Sequence, residues 1–130
     1  MIYLWVALGG ALGSVARYWL NATVTTALGV TFPWGTLLIN MLGSFIIGFF
    51  ATLTLETPRF PVSQEVRVFV MVGLCGGFTT FSAFSLQTVE LVRDGDWKPA
   101  GGYVAASVGL CLLLCWLGIV SALALGIRRG

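Results

Sequence analysis

The sequence predicts an all-α membrane protein of four transmembrane helices, and three observations carry that expectation. First, 58% of its 130 residues are hydrophobic and only 9% are charged, whereas a soluble domain carries about a quarter charged residues. Second, the charges are clustered, leaving residues 2–16, 18–55, 68–89 and 99–127 uncharged. Third, Trp5, Trp34 and Trp97 fall near the ends of the apolar stretches, where indole rings favour the lipid–water interface. A chain of this length is expected to form one domain.

The spans follow in order. The first is expected over 2–27, closed by the Leu28-Gly29-Val30-Thr31-Phe32-Pro33 break, because Gly and Pro punctuate helices. It has no basic leader, and its apolar stretch is longer than that of a signal peptide, so it is expected to be retained. The second, over 33–55, ends at the cluster Glu56, Arg59, Glu65 and Arg67. The third, over 66–92, runs into Glu90, Arg93, Asp94, Asp96 and Lys98, and the fourth, over 100–127, into Arg128 and Arg129. Each has about the 20 residues needed to cross a bilayer.

Composition excludes several functions. There is no His, and the carboxylates sit at span ends or in loops. No nucleophile–base pair or carboxylate pair can therefore be assembled in the membrane, and an enzyme is not expected. A net charge of +2 is too small to suggest nucleic acid. Cys75, Cys111 and Cys115 lie inside spans without metal-like spacing and read as small apolar packers.

With four spans, Arg59, Arg67, Arg128 and Arg129 share one side, against Arg93 and Lys98 on the other, with Arg17 inside the first span. Basic residues decide orientation, and this bias is weak. It is compatible with insertion in both directions or with the four-Arg side in the cytoplasm. Small residues recur four apart at Gly9/Gly13, Gly73/Gly77 and Ala105/Gly109, a spacing that lets helices approach closely in lipid. An oligomer is expected, because one four-helix bundle leaves little interior for a polar path.

Polar side chains at membrane depth tend to be functional. In the third span, Gly76 and Gly77 precede Thr79 and Thr80, a weak helical stretch. Either the helix breaks there and frees backbone carbonyls for a cation, or the glycines form a packing contact and the hydroxyls bond back to their own helix. Phe81 and Phe84 share a face, extended by Phe78 and Thr88 if the helix stays regular, and alternate with Ser82 and Ser85. Phe ring edges carry partial positive charge and suit an anion; a stripe facing lipid or core is the alternative. Thr36, Asn40 and Ser44 repeat every four residues in the second span, as do Tyr103, Ser107 and Cys111 in the fourth. Asn40 offers two N–H donors or simply joins helices. Arg17 either snorkels to an interface or sets a positive potential at a vestibule.

The run Gly76-Gly77-Phe78-Thr79-Thr80-Phe81-Ser82-Ala83-Phe84-Ser85 closely resembles the signature of the Fluc/CrcB fluoride channels. Pro33-Trp34-Gly35-Thr36-Leu37-Leu38-Ile39-Asn40 is similar to that family's second-helix motif, and Gly9 to Tyr18 to its first-helix pattern. The resemblance implies an antiparallel, dual-topology homodimer in the cytoplasmic membrane, with two fluoride pores and a structural Na⁺ at the interface. It implies passive fluoride export and resistance to fluoride. It also implies that Asn40, Phe81, Phe84, Tyr103 and Ser107, with Thr80 and Ser82, form the fluoride path. Arg17 would match the vestibule arginine, and the backbone carbonyls of Gly76 and Thr79 would hold Na⁺. Two departures stand out: Cys111 replaces a Ser of the polar track, and Gln87 replaces a Glu. The rival readings are a small multidrug-type antiporter, which needs a membrane-embedded carboxylate, and a structural subunit without transport of its own.

Overall fold

The computed structural model describes residues 1–56 and 60–127. Arg59, Arg128 and Arg129, on which the charge count relies, lie outside the described residues. The described residues are helical, with no strand. Helix α1 spans Ile2–Leu28 and α2 Trp34–Leu55. The third hydrophobic segment is composite. Its first part, α3, covers residues 64–78 and contains a wide π-helical stretch at Val68–Cys75 between α-helical ends at Gln64–Arg67 and Gly76–Phe78. After a two-residue break, α4 spans Phe81–Arg93, and α5 runs over Trp97–Ile127.

The helix ends obey local chemistry. Gly29 follows α1 with φ 85, a left-handed conformation that glycine adopts without a Cβ penalty. Ser63 caps α3 by accepting the Val66 N–H at 3.4 Å. Pro99 lies in the first turn of α5, where its missing N–H leaves no helix bond unmade.

Three segments are long and apolar enough to cross a membrane: Trp34–Leu55, Gln64–Arg93 and Trp97–Gly126. Helix α1 has the length, but Arg17, Asn21 and its Tyr and Trp residues make it more polar than the other three. Many large apolar side chains face outward, among them Leu112, Trp116 and Val120 of α5. That is the pattern of a surface solvated by lipid.

Glycines set the packing. Helices α1 and α3 meet backbone to backbone: a Cβ added to Gly9 would collide with the Phe69 carbonyl and come within 2.9 Å of Gly73 Cα. Gly13 meets the Leu74 carbonyl in the same way, and Gly77 the Gly10 carbonyl. Helices α2 and α5 form the most extensive pairing. They approach through Gly48 against the Cys115 carbonyl and Gly118 against the Phe45 carbonyl. Of the small pairs expected from spacing, Gly9/Gly13 and Gly73/Gly77 build contacts within the chain. Ala105 and Gly109 are exposed, and a Cβ on Gly109 would meet nothing within 4 Å. The small core contains Leu37, Leu91, Ala100 and Tyr103, with Phe32 and Phe84 packed on it.

Candidate functional site

The break between α3 and α4 organises the site. Thr79 (φ −79, ψ 155) and Thr80 (φ −150, ψ 115) are extended, a conformation that suits β-branched residues. The glycines ahead of them stay helical, Gly76 at φ −64 and ψ −38. The break expected around Gly76 and Thr79 therefore falls at the two threonines, and Gly77 serves the α1 contact. Phe78 ends the upstream helix, so the aromatic face of α4 begins at Phe81.

Side chains from α1 and α2 replace the helix hydrogen bonds lost at the break. A continuous helix would direct the Thr80 N–H to the Gly76 carbonyl. Instead it donates to Asn40 Oδ1 at 2.8 Å, and Asn40 Nδ2 donates to the Thr80 carbonyl at 3.1 Å. The Ala83 N–H, which would close on the Thr79 carbonyl, donates to Thr80 Oγ1 at 3.2 Å. Arg17 Nε donates to the Gly77 carbonyl at 3.0 Å. Arg17 thus turns inward onto the broken helix end, where a cation is favoured by the helix dipole.

The same exchanges deprive the Gly76 and Thr79 carbonyls of their helical donors. Gly76 is exposed, and a Cβ there would meet nothing within 4 Å. Two carbonyl oxygens released in this way are the donor chemistry a hard cation requires. Among the described residues no cluster of three or more His, Cys, Asp or Glu is placed to hold a metal ion.

A cavity of about 330 Å³ opens beside the break. It brings together Asn40 and Ser44 of α2, Gly76 of α3, Thr79 and Thr80 of the break, Phe81 and Phe84 of α4, and Ser107 of α5. Among the described residues no charged side chain lines it. The Phe81 and Phe84 rings lie 5.3 Å apart at 52°. Phe81 is 77% exposed and points out of the protomer, whereas Phe84 packs on Tyr103 with centroids 5.1 Å apart. A second cavity of about 210 Å³ holds Arg17, Asn21, Thr36, Thr80 and Gln87. Thr80 lines both.

Two of the expected path residues lie away from the larger cavity. Tyr103 is completely buried in the core, and its hydroxyl donates to Gln87 Oε1 at 2.8 Å. Ser82 is exposed, with Oγ 3.3 Å from Thr80 Oγ1.

The hydroxyls separate into two classes. Ser44, Thr79, Ser85 and Thr88 bond back to carbonyls one turn earlier, at 2.7, 2.8, 2.9 and 2.7 Å. Ser107 differs: it is 7% exposed and its Oγ has no hydrogen-bond partner among the described residues. A buried hydroxyl left unpaired costs about 1–3 kcal/mol, so Ser107 is the lining hydroxyl with unused capacity.

The sequence matches the family described as CrcB-like protein, Camphor Resistance (CrcB), over residues 4–119. The chain belongs to the CrcB-like family. Among its relatives is a protein of Opitutus terrae named "Fluoride-specific ion channel FluC". It is 57% identical over 129 residues, covering 99% of this chain and 98% of the relative. Proteins of the same name are 55% identical over 130 residues in Methylocella silvestris (100% and 99% covered) and 57% identical over 122 residues in Paramagnetospirillum magneticum (94% and 95% covered). The resemblance read from the Gly76–Ser85 motif is thereby borne out. Family membership and the apolar helices make this CrcB-like chain a multi-pass protein of the cell membrane.

Several features of this CrcB-like protein were not read from its sequence. The π-helical stretch at Val68–Cys75 has no compositional signature. The Arg17–Gly77 and Gln87–Tyr103 bonds join residues 60 and 16 positions apart. The Gly48 and Gly118 contact between α2 and α5 was detectable in principle, as small residues within two apolar spans.

Proposed function

We propose that this protein is a fluoride-selective channel, not an enzyme, that lets fluoride leave the cell passively. The observation that carries the reading is the uncharged cavity at the helix break, lined by Asn40, Thr80, Phe81, Phe84 and the unpartnered Ser107 hydroxyl. It occurs in a chain 57% identical to a fluoride-specific ion channel. Fluoride is small and strongly hydrated, so a path must exchange its water for close donors. Asn40 uses one N–H on Thr80 and keeps its second. Ser107 contributes an O–H, and the Phe edges contribute partial positive charge. None of these is a fixed charge, so binding stays weak enough for the ion to move on. Arg17, in the neighbouring cavity, supplies a positive potential at the approach.

The functional unit in this reading is an antiparallel homodimer of single four-helix domains, inserted in both orientations, with two pores. The exposure of Phe81 supports it: a single protomer leaves one wall of the cavity open. The Gly76 and Thr79 carbonyls would hold a structural Na⁺ at the interface. Bound there, Na⁺ would supply a fixed positive charge between the subunits and a tie joining them. Tyr103 acts from behind the path, by seating Phe84, and Ser82 by its contact with Thr80.

The test is fluoride efflux from liposomes holding the purified protein, followed with a fluoride electrode and repeated with chloride. Fast fluoride loss with little chloride loss is expected. Liposomes that stay fluoride-tight, with a Na⁺-supplied dimer verified in the membrane, would overturn the reading in favour of a structural subunit or an antiporter.

A further inference from the structure

Three sulfur-bearing side chains line the cavity at the break: Met71 and Cys75, four residues apart on α3, and Cys111 on α5, one turn beyond Ser107. Both cysteines are free thiols, and Cys75 is buried. Among the described residues no carboxylate and no basic group lines the cavity. The Ser107 hydroxyl, one turn before Cys111, is buried and has no hydrogen-bond partner among the described residues, so the cavity keeps one polar group free for a ligand.

We propose that this cavity binds one soft monovalent cation of the Ag⁺ and Cu⁺ class through Met71 Sδ, Cys75 Sγ and Cys111 Sγ. Thiolate and thioether sulfur select such ions, whereas Na⁺ and Mg²⁺ prefer oxygen. Two thiolates and one thioether arriving from two helices make a three-coordinate sulfur set. On binding, the two S–H bonds break, two sulfur–metal bonds form, and two protons leave to water. The thioether adds a lone pair, and no electron changes hands. The loaded site carries one net negative charge, to which Ser107 donates its hydrogen. The site differs from the carbonyl pair of Gly76 and Thr79, which offers oxygen only. Cys115 provides an internal control, because it lines a separate cavity with Thr52 and Ile119 and no second sulfur. The binding claim stands independently of the channel reading. Its consequence rests on that reading: a loaded site fills the cavity, repels fluoride and stops its passage.

The test uses the purified full-length protein in chloride-free detergent solution, titrated with silver nitrate and assayed for metal retained after desalting. One tightly held Ag⁺ per chain is expected. Cys75→Ser and Cys111→Ser should each weaken binding by about tenfold or more, Met71→Leu by several-fold, and Cys115→Ser not at all. Bound silver should also protect the half-buried Cys111, but not Cys115, from maleimide, a readout in the native chain that needs no variant to fold. Wild-type affinity in Cys75→Ser or Cys111→Ser, tight binding that is lost with Cys115, or an unprotected Cys111 would overturn the site. In liposomes, silver should block fluoride efflux, with each variant compared with its own silver-free rate. Silver held at both thiols with efflux unchanged would overturn the placement of the site on the path. Silver held at both thiols in a protein that never passes fluoride would support the site and overturn the channel reading.

Discussion

Asn40 and the Thr80 peptide hold each other through two hydrogen bonds, 2.8 Å from the Thr80 N–H to Oδ1 and 3.1 Å from Nδ2 to the Thr80 carbonyl. The side-chain amide thus stands in for a peptide group of the interrupted helix. In lipid an unpaired backbone group is strongly disfavoured, so the break persists because α2 supplies this amide. Joining helices and offering a donor to an ion were alternatives for Asn40 on sequence alone. The geometry lets one residue do both, since an amide nitrogen carries two N–H groups and Thr80 takes one.

Replacing Asn40 therefore has a predicted structural and functional signature. Asn40→Ala leaves the Thr80 N–H and carbonyl unpaired, at about 1–3 kcal/mol for each group. A clearly lowered unfolding temperature in detergent is expected, with fluoride efflux reduced by about tenfold or more. Asn40→Asp keeps the acceptor for the Thr80 N–H and should fall between wild type and Ala in stability. An Ala variant as stable as wild type would show that water or lipid headgroups satisfy the break without Asn40.

Ser107 should behave in the opposite way. Its buried oxygen has no partner among the described residues, so Ser107→Ala removes an unsatisfied group and should leave stability unchanged or slightly raised. Fluoride efflux should nevertheless fall, because a donor on the path is lost. Ser85→Ala provides the comparison: that hydroxyl already bonds to the Phe81 carbonyl and its loss should alter efflux little. Equal efflux in Ser107→Ala and wild type would remove Ser107 from the path.

The fold was legible where physics is local. Gly29 ends α1 and the charged residues around Glu90 end α4, as Gly punctuation and charge clustering predict. The site was legible as composition: Asn40, Thr80, Phe81 and Phe84 do converge on one cavity. Its wiring was not. A sequence motif records which side chains are present, not which hydrogen bonds replace those of a broken helix. A break around Gly76 and Thr79 was one of two readings, resting on the low helix propensity of the glycines and the β-branched threonines that follow. Tertiary packing against Gly10 keeps Gly77 helical, and the β-branched Thr79 and Thr80 take the extended positions. Arg17 was left between snorkelling and a vestibule role because its acceptor, the Gly77 carbonyl, exists only once the helix breaks.

The α1–α3 contact yields a sharp contrast between adjacent residues. A methyl on Gly9 would collide with the Phe69 carbonyl, which is backbone and cannot swing aside, whereas a methyl on Gly10 meets nothing within 4 Å. Gly9→Ala should destabilise the protein by about 1–3 kcal/mol, the usual range for overpacking. Gly10→Ala should be neutral or stabilising, since Ala is the better helix former. Thermal unfolding of the two variants in one detergent is the measurement. Equal destabilisation would mean that glycine matters here for flexibility rather than close approach.

The two phenylalanines of the cavity are predicted to separate function from stability. Phe81 is 77% exposed and touches little of its own protomer beyond Phe84. Phe81→Ile should therefore abolish most fluoride efflux while leaving the unfolding temperature of the isolated protomer nearly unchanged. Phe84 packs on the buried Tyr103 and on the core around it. Phe84→Ile removes an aromatic contact worth about 0.5–1.5 kcal/mol beyond its area, so it should lower both efflux and stability. The comparison requires efflux and unfolding to be measured on the same preparations. Wild-type efflux in Phe81→Ile would take that ring out of the path. Loss of folding in Phe81→Ile would mean that the exposed ring is a structural contact, supplied by a second subunit.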